Sequence, residues 1–170
     1  MLDGVSGRMI AQPSGHFSFG YRDSSLALYV KFDTLTGPMT ILDRRSREGR
    51  PSVRLAKSTD NRLTFAFARK QGAQPLLITR TKVLADRWYH IAVTKDDEGV
   101  ALYVNGTLED RQILGSEPVV ELSPLYFGAT WDGKTFLHGK LDDIMFYNRA
   151  LTGDQVHDLF ERRESGECRM

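Results

Sequence analysis

Arg87-Trp88-Tyr89-His90-Ile91-Ala92-Val93-Thr94-Lys95 and Val100-Ala101-Leu102-Tyr103-Val104-Asn105-Gly106 decide the fold. Tyr89 to Lys95 and Val100 to Val104 are runs of strand length, rich in β-branched and aromatic residues. Asp97-Glu98-Gly99 between them predicts a hairpin with Gly99 at positive φ. Asn105-Gly106, leading into Thr107-Leu108, is a second hairpin signal. Two strands and two tight turns thus fill twenty residues with no room for a helix.

The same period of two extends in both directions. Leu26, Leu28, Val30 and Phe32 fall on one face of a run whose other face holds Ala27, Tyr29, Lys31 and Asp33, a half-buried strand. Leu63, Phe65 and Phe67 repeat the pattern after a turn at Asp60-Asn61. Met39 to Asp43, Val53 to Lys57, Leu76 to Lys82, Leu125 to Ala129 and Leu141 to Asn148 are further strands. Short strands divided by Gly, Asn, Asp and Pro predict an antiparallel all-β sandwich or barrel. A single helix is expected after Thr152-Gly153-Asp154-Gln155, a capping-box pattern. Val156, Leu159 and Phe160 share one face of it, and Gly166 can end it.

Composition narrows the class. A chain of 170 residues with 41% hydrophobic and 26% charged residues is an ordinary single globular domain. Net charge of +1 gives no reason to expect nucleic acid, and no apolar stretch is long enough for a membrane span. Cys168 is a single thiol, so an internal disulfide and a sulfur-based metal site are both excluded. The chain opens on no basic-then-apolar leader, which is expected of a segment whose secretion signal was removed or lies elsewhere.

The hairpin from Arg87 to Gly106 resembles the "W-x-H-h-A-V-T … L-Y-V-N-G" signature of laminin-G-like and pentraxin-like domains. Gly139-Lys140-Leu141-Asp142-Asp143-Ile144-Met145-Phe146-Tyr147-Asn148-Arg149-Ala150-Leu151-Thr152 resembles their closing strand, "G-x-I-D-D-V-R-I-Y-N-R-A-L-S". The resemblance implies a concanavalin A-like jelly roll over residues 1–164, with 165–170 a tail. It also implies a secreted or cell-surface setting and a glycan or extracellular protein as ligand. The family includes lectins, spacers, adhesion domains and glucanases, so function must be argued from a site.

Catalysis is not expected. Glucanases on this fold need carboxylates at i, i+2 and i+4 of one strand, whereas the acids spaced i, i+2 here are Asp96 and Glu98, in a turn. Gly128-Ala129-Thr130-Trp131-Asp132-Gly133-Lys134-Thr135 satisfies G-x-x-x-x-G-K-[ST] but lacks a following helix, so it reads as a strand connection. Asn105-Gly106-Thr107 satisfies the glycosylation sequon, yet its turn role already explains Asn-Gly.

Binding candidates remain. Trp131 and Asp132 sit in a turn where the indole is either a sugar-stacking platform or packs on a neighbouring loop. Tyr126 and His138 are candidate neighbours. Arg44, Arg45, Arg47, Arg50 and Arg54 fall within eleven residues around a Ser46 to Ser52 loop. They either converge on one acidic or sulfated group or point apart into solvent. Phe65, Phe67, Phe127, Phe146 and Trp88 are expected in the core, Trp88 by its match to the family's structural tryptophan. The resemblance further implies a structural Ca2+ held by Asp142, with Asp143 beside it and Asp3 from the first strand. Without an ion, Asp142 would instead cap loop amides.

Overall fold

The computed structural model describes residues 2–12, 23–45, 51–67, 77–113 and 123–164. Within them the strands are β1 (Leu2–Asp3), β2 (Met9–Ala11), β3 (Ser24–Phe32), β4 (Met39–Arg45), β5 (Pro51–Lys57) and β6 (Arg62–Phe67). They continue as β7 (Leu77–Lys82), β8 (Trp88–Lys95), β9 (Gly99–Val104), β10 (Thr107–Ile113), β11 (Leu125–Phe127) and β12 (His138–Tyr147), and α1 is Gly153–Glu164. Two six-stranded sheets result, ordered β1-β12-β3-β8-β9-β10 and β2-β11-β4-β5-β6-β7. Every pairing is antiparallel, which makes the molecule a jelly-roll sandwich. The expected helix cap is formed: Gln155 N–H donates to Thr152 Oγ1 and Thr152 N–H to Gln155 Oε1.

The core lies between the inward faces. Leu26, Leu28, Val30 and Phe32 meet Ile41, Leu42, Leu55, Leu63 and Phe65 there. Phe127 joins them and packs edge-on against partly buried Phe146, while the Phe67 side chain lies outside the described residues. Half-burial of β3 is corrected, because its second face is buried too. Ala27, Ala92 and Ala101 are small enough to let α1 approach, and Val156 and Leu151 pack on them. Ser25 locks the approach by donating to Arg149 O and accepting Leu151 N–H.

Two other expectations need correction. Trp88 is not core: alternation puts it opposite Lys31 on the outward face, where it keeps 40% exposure. Gly99 is not required by a positive φ, since the turn is shaped by Asp96 Oδ1 accepting the amides of Glu98 and Gly99. It is required by close approach, because a Cβ there would stand 2.2 Å from Gln112 O. The Asn105-Gly106 turn is as expected, with φ of 50° and 74°.

Charged side chains fasten the backbone where ladders end. Lys57 is fully buried, and its three N–H groups are shared among Leu35 O, Gly37 O, Ser58 O and Asn61 Oδ1, all 2.6–3.2 Å from Nζ. Desolvation lowers its pKa, and nearby Asp60 counters that only in part. The ammonium ties the β3–β4 loop to the β5–β6 turn. At the far edge, a bulge in β10 between Leu108 and Asp110 leaves Glu109 unpaired in the ladder and aims it at β7. Glu109 accepts the amides of Arg80 and Thr81 and the Thr81 hydroxyl, while Asp110 accepts the Ile78 amide. The edges of the two sheets are thereby closed on each other.

Lys57→Met keeps the stem but strands four acceptors, and is expected to cost about 3 kcal/mol in chemical denaturation. Burial alone would raise the Glu109 pKa, but bonds from the Thr81 hydroxyl and the Thr81 and Arg80 amides outweigh it and hold the carboxyl below its usual range. A depressed folded pKa gives stability that is present above the unfolded value and lost as pH falls through the folded one. Denaturation measured through the acid range should therefore lose a smaller increment in Glu109→Gln than in the parent, because the variant lacks this titration.

Candidate functional site

The site forms around the connection from β11 to β12. Ala129 bridges Phe136, and the residues between them fold back on Thr130. Thr130 N–H donates to Thr135 O, and Thr130 Oγ1 accepts the amides of Lys134 and Thr135 at 3.0 and 3.1 Å. The amides that a nucleotide-binding loop would turn to phosphate are thus consumed inside this turn, which is followed by β12 rather than a helix.

Asp43 carries the loop. Strand register sets it opposite Arg54 on β5 and Tyr126 on β11, and its side chain is fully buried. Oδ1 accepts Arg54 Nε–H at 2.9 Å and Oδ2 accepts the Trp131 amide at 3.0 Å. Trp131 is thereby pinned over the outward face of β4, with 40% of its surface exposed. Arg45, two residues beyond Asp43 and on the same face, lays its guanidinium 3.5 Å from the centre of the indole ring. Its Nη2 is 3.9 Å from Asp132 Oδ2, which Lys134 Nζ approaches to 3.3 Å. A bond from the Thr130 hydroxyl first, then Lys134, holds the Asp132 carboxyl below its usual range. Arg8, exposed on the chain before β2, stands over the Tyr126 ring at 5.9 Å. A methyl group added at Gly133 would lie 3.8 Å from that guanidinium, so Arg8 borders the same loop.

The structure therefore brings together Trp131, Asp132 and Arg45, and gives Arg44 and Arg54 other surroundings. Arg44 is corrected: it is 3% exposed and shares its cross-strand row with core residues Val53 and Leu125, so it does not face the outward ligand surface. One residue of strand is enough to send neighbours to opposite faces. Arg54 is spent on Asp43. Arg47 and Arg50 lie outside the described residues. Asp43, Arg8 and Lys134 are site residues that sequence reasoning missed. The available signal for Asp43 was an acid directly following the apolar pair Ile41-Leu42 inside a predicted strand.

The expected calcium ligands do not assemble into one site. Asp3 Oδ1 accepts the amides of Val5, Ser6 and Gly7, and Oδ2 accepts the Ser6 hydroxyl. These bonds, led by the Ser6 and Gly7 amides, hold its carboxyl well below the usual range. Asp3 pairs with His138, whereas Asp142 lies four residues further along β12, about 13 Å away. Asp142 sits opposite Tyr29, whose hydroxyl reaches the Phe160 carbonyl of α1. Asp143 follows at φ 46° in the bulge of β12. Among the described residues no three His, Cys, Asp or Glu side chains gather to hold an ion. Asp3 caps the amides of its own turn, and Asp142 Oδ1 accepts the amide of neighbouring Asp143 at 3.0 Å.

On the other side of the Trp131 loop is an open cleft of about 440 Å³, with Asp3, Thr34, Thr36, Lys134, Phe136 and His138 in its lining. The two acids spaced i, i+2 take no part in either site: Asp96 and Glu98 both meet Arg111, at 3.3 and 2.8 Å. No helix among the described residues is long and apolar enough to cross a membrane.

Comparison with known proteins agrees with this architecture. A segment of 84 residues is 25% identical to zebrafish (Danio rerio) adhesion G-protein coupled receptor V1, covering 48% of this chain and 1% of the receptor. Human usherin is 22% identical over 144 residues, covering 80% of this chain and 3% of usherin. The chain thus spans a few percent or less of the length of either relative. The heptameric SAP-like pentraxin of Limulus polyphemus superposes with a TM-score of 0.72 at 14% identity, over 94% of this chain and 79% of that one. With residues 6–157 matching its family model, the chain belongs to the laminin G family of the concanavalin A-like lectin/glucanases superfamily.

Proposed function

We propose that the chain is a noncatalytic binding module of a secreted or cell-surface protein and that it recognises an acidic glycan at Trp131. One observation carries the reading: the Arg45 guanidinium stacked 3.5 Å from the centre of the half-exposed Trp131 ring, beside Asp132. The stack preorganises a planar cation next to an apolar ring edge. A carboxylate or sulfate then meets the guanidinium while sugar C–H groups cover the exposed indole and Asp132 accepts a hydroxyl. Asp43 supplies rigidity by holding the Trp131 backbone. Arg8 and Arg45 border the loop, which favours an anion over a neutral sugar at this position. Membership in a superfamily named for lectins and a relative named as an adhesion receptor are consistent with binding outside the cell.

A glycan array followed by calorimetry on the best hit tests this. Trp131→Ala and Arg45→Ala should each weaken binding by about tenfold or more, and added salt should weaken it further. Retained affinity in both variants would sink the assignment. A second reading, a protein-binding domain without glycan affinity, draws on Ile78 and Leu108, exposed at 45% and 42% along the β7–β10 seam. A blank array together with loss of partner binding in Leu108→Asp would favour it.

The reading needs no metal. Because Asp3 is already satisfied by its own turn, calcium chelation is expected to leave the thermal midpoint unchanged, as measured with and without chelator. A drop on chelation that Asp142→Ala removes would restore the calcium assignment.

A further inference from the structure

We propose that the cleft beside the Trp131 loop is a second sugar subsite, which takes a neutral hydroxylated unit adjoining the acidic unit at Trp131. The proposal rests on the glycan reading of Trp131 and adds to it the composition and minimum length of the ligand.

The first argument is continuity. Residues 131–136 serve both places: Trp131 and Asp132 belong to the stacked site, while Lys134, Thr135 and Phe136 line the cleft. Lys134 stands between them, with its ammonium 3.3 Å from Asp132. A linear chain crossing Lys134 would occupy both.

The second argument is preorganisation. Three segments wall the cleft, and each is braced from within. Lys57 holds the β3–β4 loop through Leu35 O and Gly37 O. Asp3 holds the segment after β1 through three amides. Thr130 holds the third wall through the amides of Lys134 and Thr135. A fully buried ammonium is a costly fastening for a surface loop. Loops fixed this way lose little further freedom when a ligand enters.

The third argument is chemistry. A volume of about 440 Å³ lies in the range of small-ligand sites, roughly 300–1,000 Å³. The Thr34 and Thr36 hydroxyls are hydrogen-bonded to each other at 3.2 Å, which leaves one O–H to donate to a ligand and lone pairs to accept from it. The Phe136 ring and Pro38 offer apolar surface to the C–H faces of a pyranose. The Lys134 ammonium is paired with Asp132, whereas the Asp3 carboxylate is kept ionised by the amides it accepts and retains its negative charge. That carboxylate repels a second anion, so the cleft favours a neutral unit.

Calorimetry on the full chain with glucuronic acid, a hyaluronan-type disaccharide of glucuronate and N-acetylglucosamine, and a heparin-derived disaccharide sulfated on both units tests the proposal. The hyaluronan-type disaccharide should bind about tenfold tighter than glucuronic acid. The doubly sulfated disaccharide should lack that gain. Thr36→Val should erase the gain and leave glucuronic acid affinity unchanged. Lys57→Met should do the same by releasing the loop, and if it fails to fold, Thr36→Val decides alone. Equal affinity for glucuronic acid and the hyaluronan-type disaccharide, or a gain that survives Thr36→Val, overturns the subsite. The Trp131 reading would stand in that case if Trp131→Ala still abolishes binding. Binding indifferent to Trp131→Ala, or no binding by any of the three probes, overturns both.

Discussion

A buried carboxylate in the middle of β4 is the constraint on which the candidate site depends. Asp43 lies on the outward face of its sheet, where an acid would ordinarily be solvated, yet its side chain is fully buried under Arg54 and the Trp131 loop. Burying a carboxylate is costly unless both oxygens find donors. Arg54 Nε–H satisfies one and the Trp131 amide the other. The same two bonds set the height of Trp131 above the sheet, and strand alternation brings Arg45 up beside it. Aromatic ring and cation are therefore positioned by backbone and strand register more than by their own packing. That arrangement suits a surface which must keep one geometry while exposed to water.

The same logic recurs wherever the sandwich interrupts its ladders. Asp3, Asp96 and Glu109 turn carboxylates onto backbone amides, and Lys57 turns an ammonium onto carbonyls. Loops and sheet edges are where backbone groups lack partners, and a charged side chain is the strongest single substitute. Several acids that look like metal or catalytic candidates are thus explained by local hydrogen bonding, Asp3 and Asp96 above all. This accounting also separates the molecule functionally. Asp96, Glu98 and Glu109 are committed to the fold, whereas Trp131, Arg8 and Lys134 retain exposed surface around a single loop.

Much of the architecture was legible from local pattern. Alternation in Leu26 to Asp33 and Leu63 to Phe67, the Asn105-Gly106 turn and the Thr152–Gln155 box all describe chemistry within a few residues of the chain. The two strands, the turn and the helix cap are all present, although the second face of β3 is buried as well. Errors arose where a residue's environment comes from distant segments. Outward Ala27 and Tyr29 are buried because α1 returns over them, from more than a hundred residues away. Trp88 is exposed because alternation puts it opposite Lys31, outside the core.

The candidate site divides along the same line. Sequence alone marked Trp131, Asp132 and an arginine cluster, because residue type and turn context are local properties. Only tertiary structure could choose Arg45 from that cluster and send Arg44 to the core-facing side, since strand register assigns adjacent residues to opposite faces. It alone could bring Asp43 to the Trp131 amide, a contact between residues 88 apart. And it alone could hold Asp3 and Asp142 apart, because pairing sets Asp3 against His138, four residues before Asp142 on β12. Local composition determined which groups were available, and long-range register decided which of them meet.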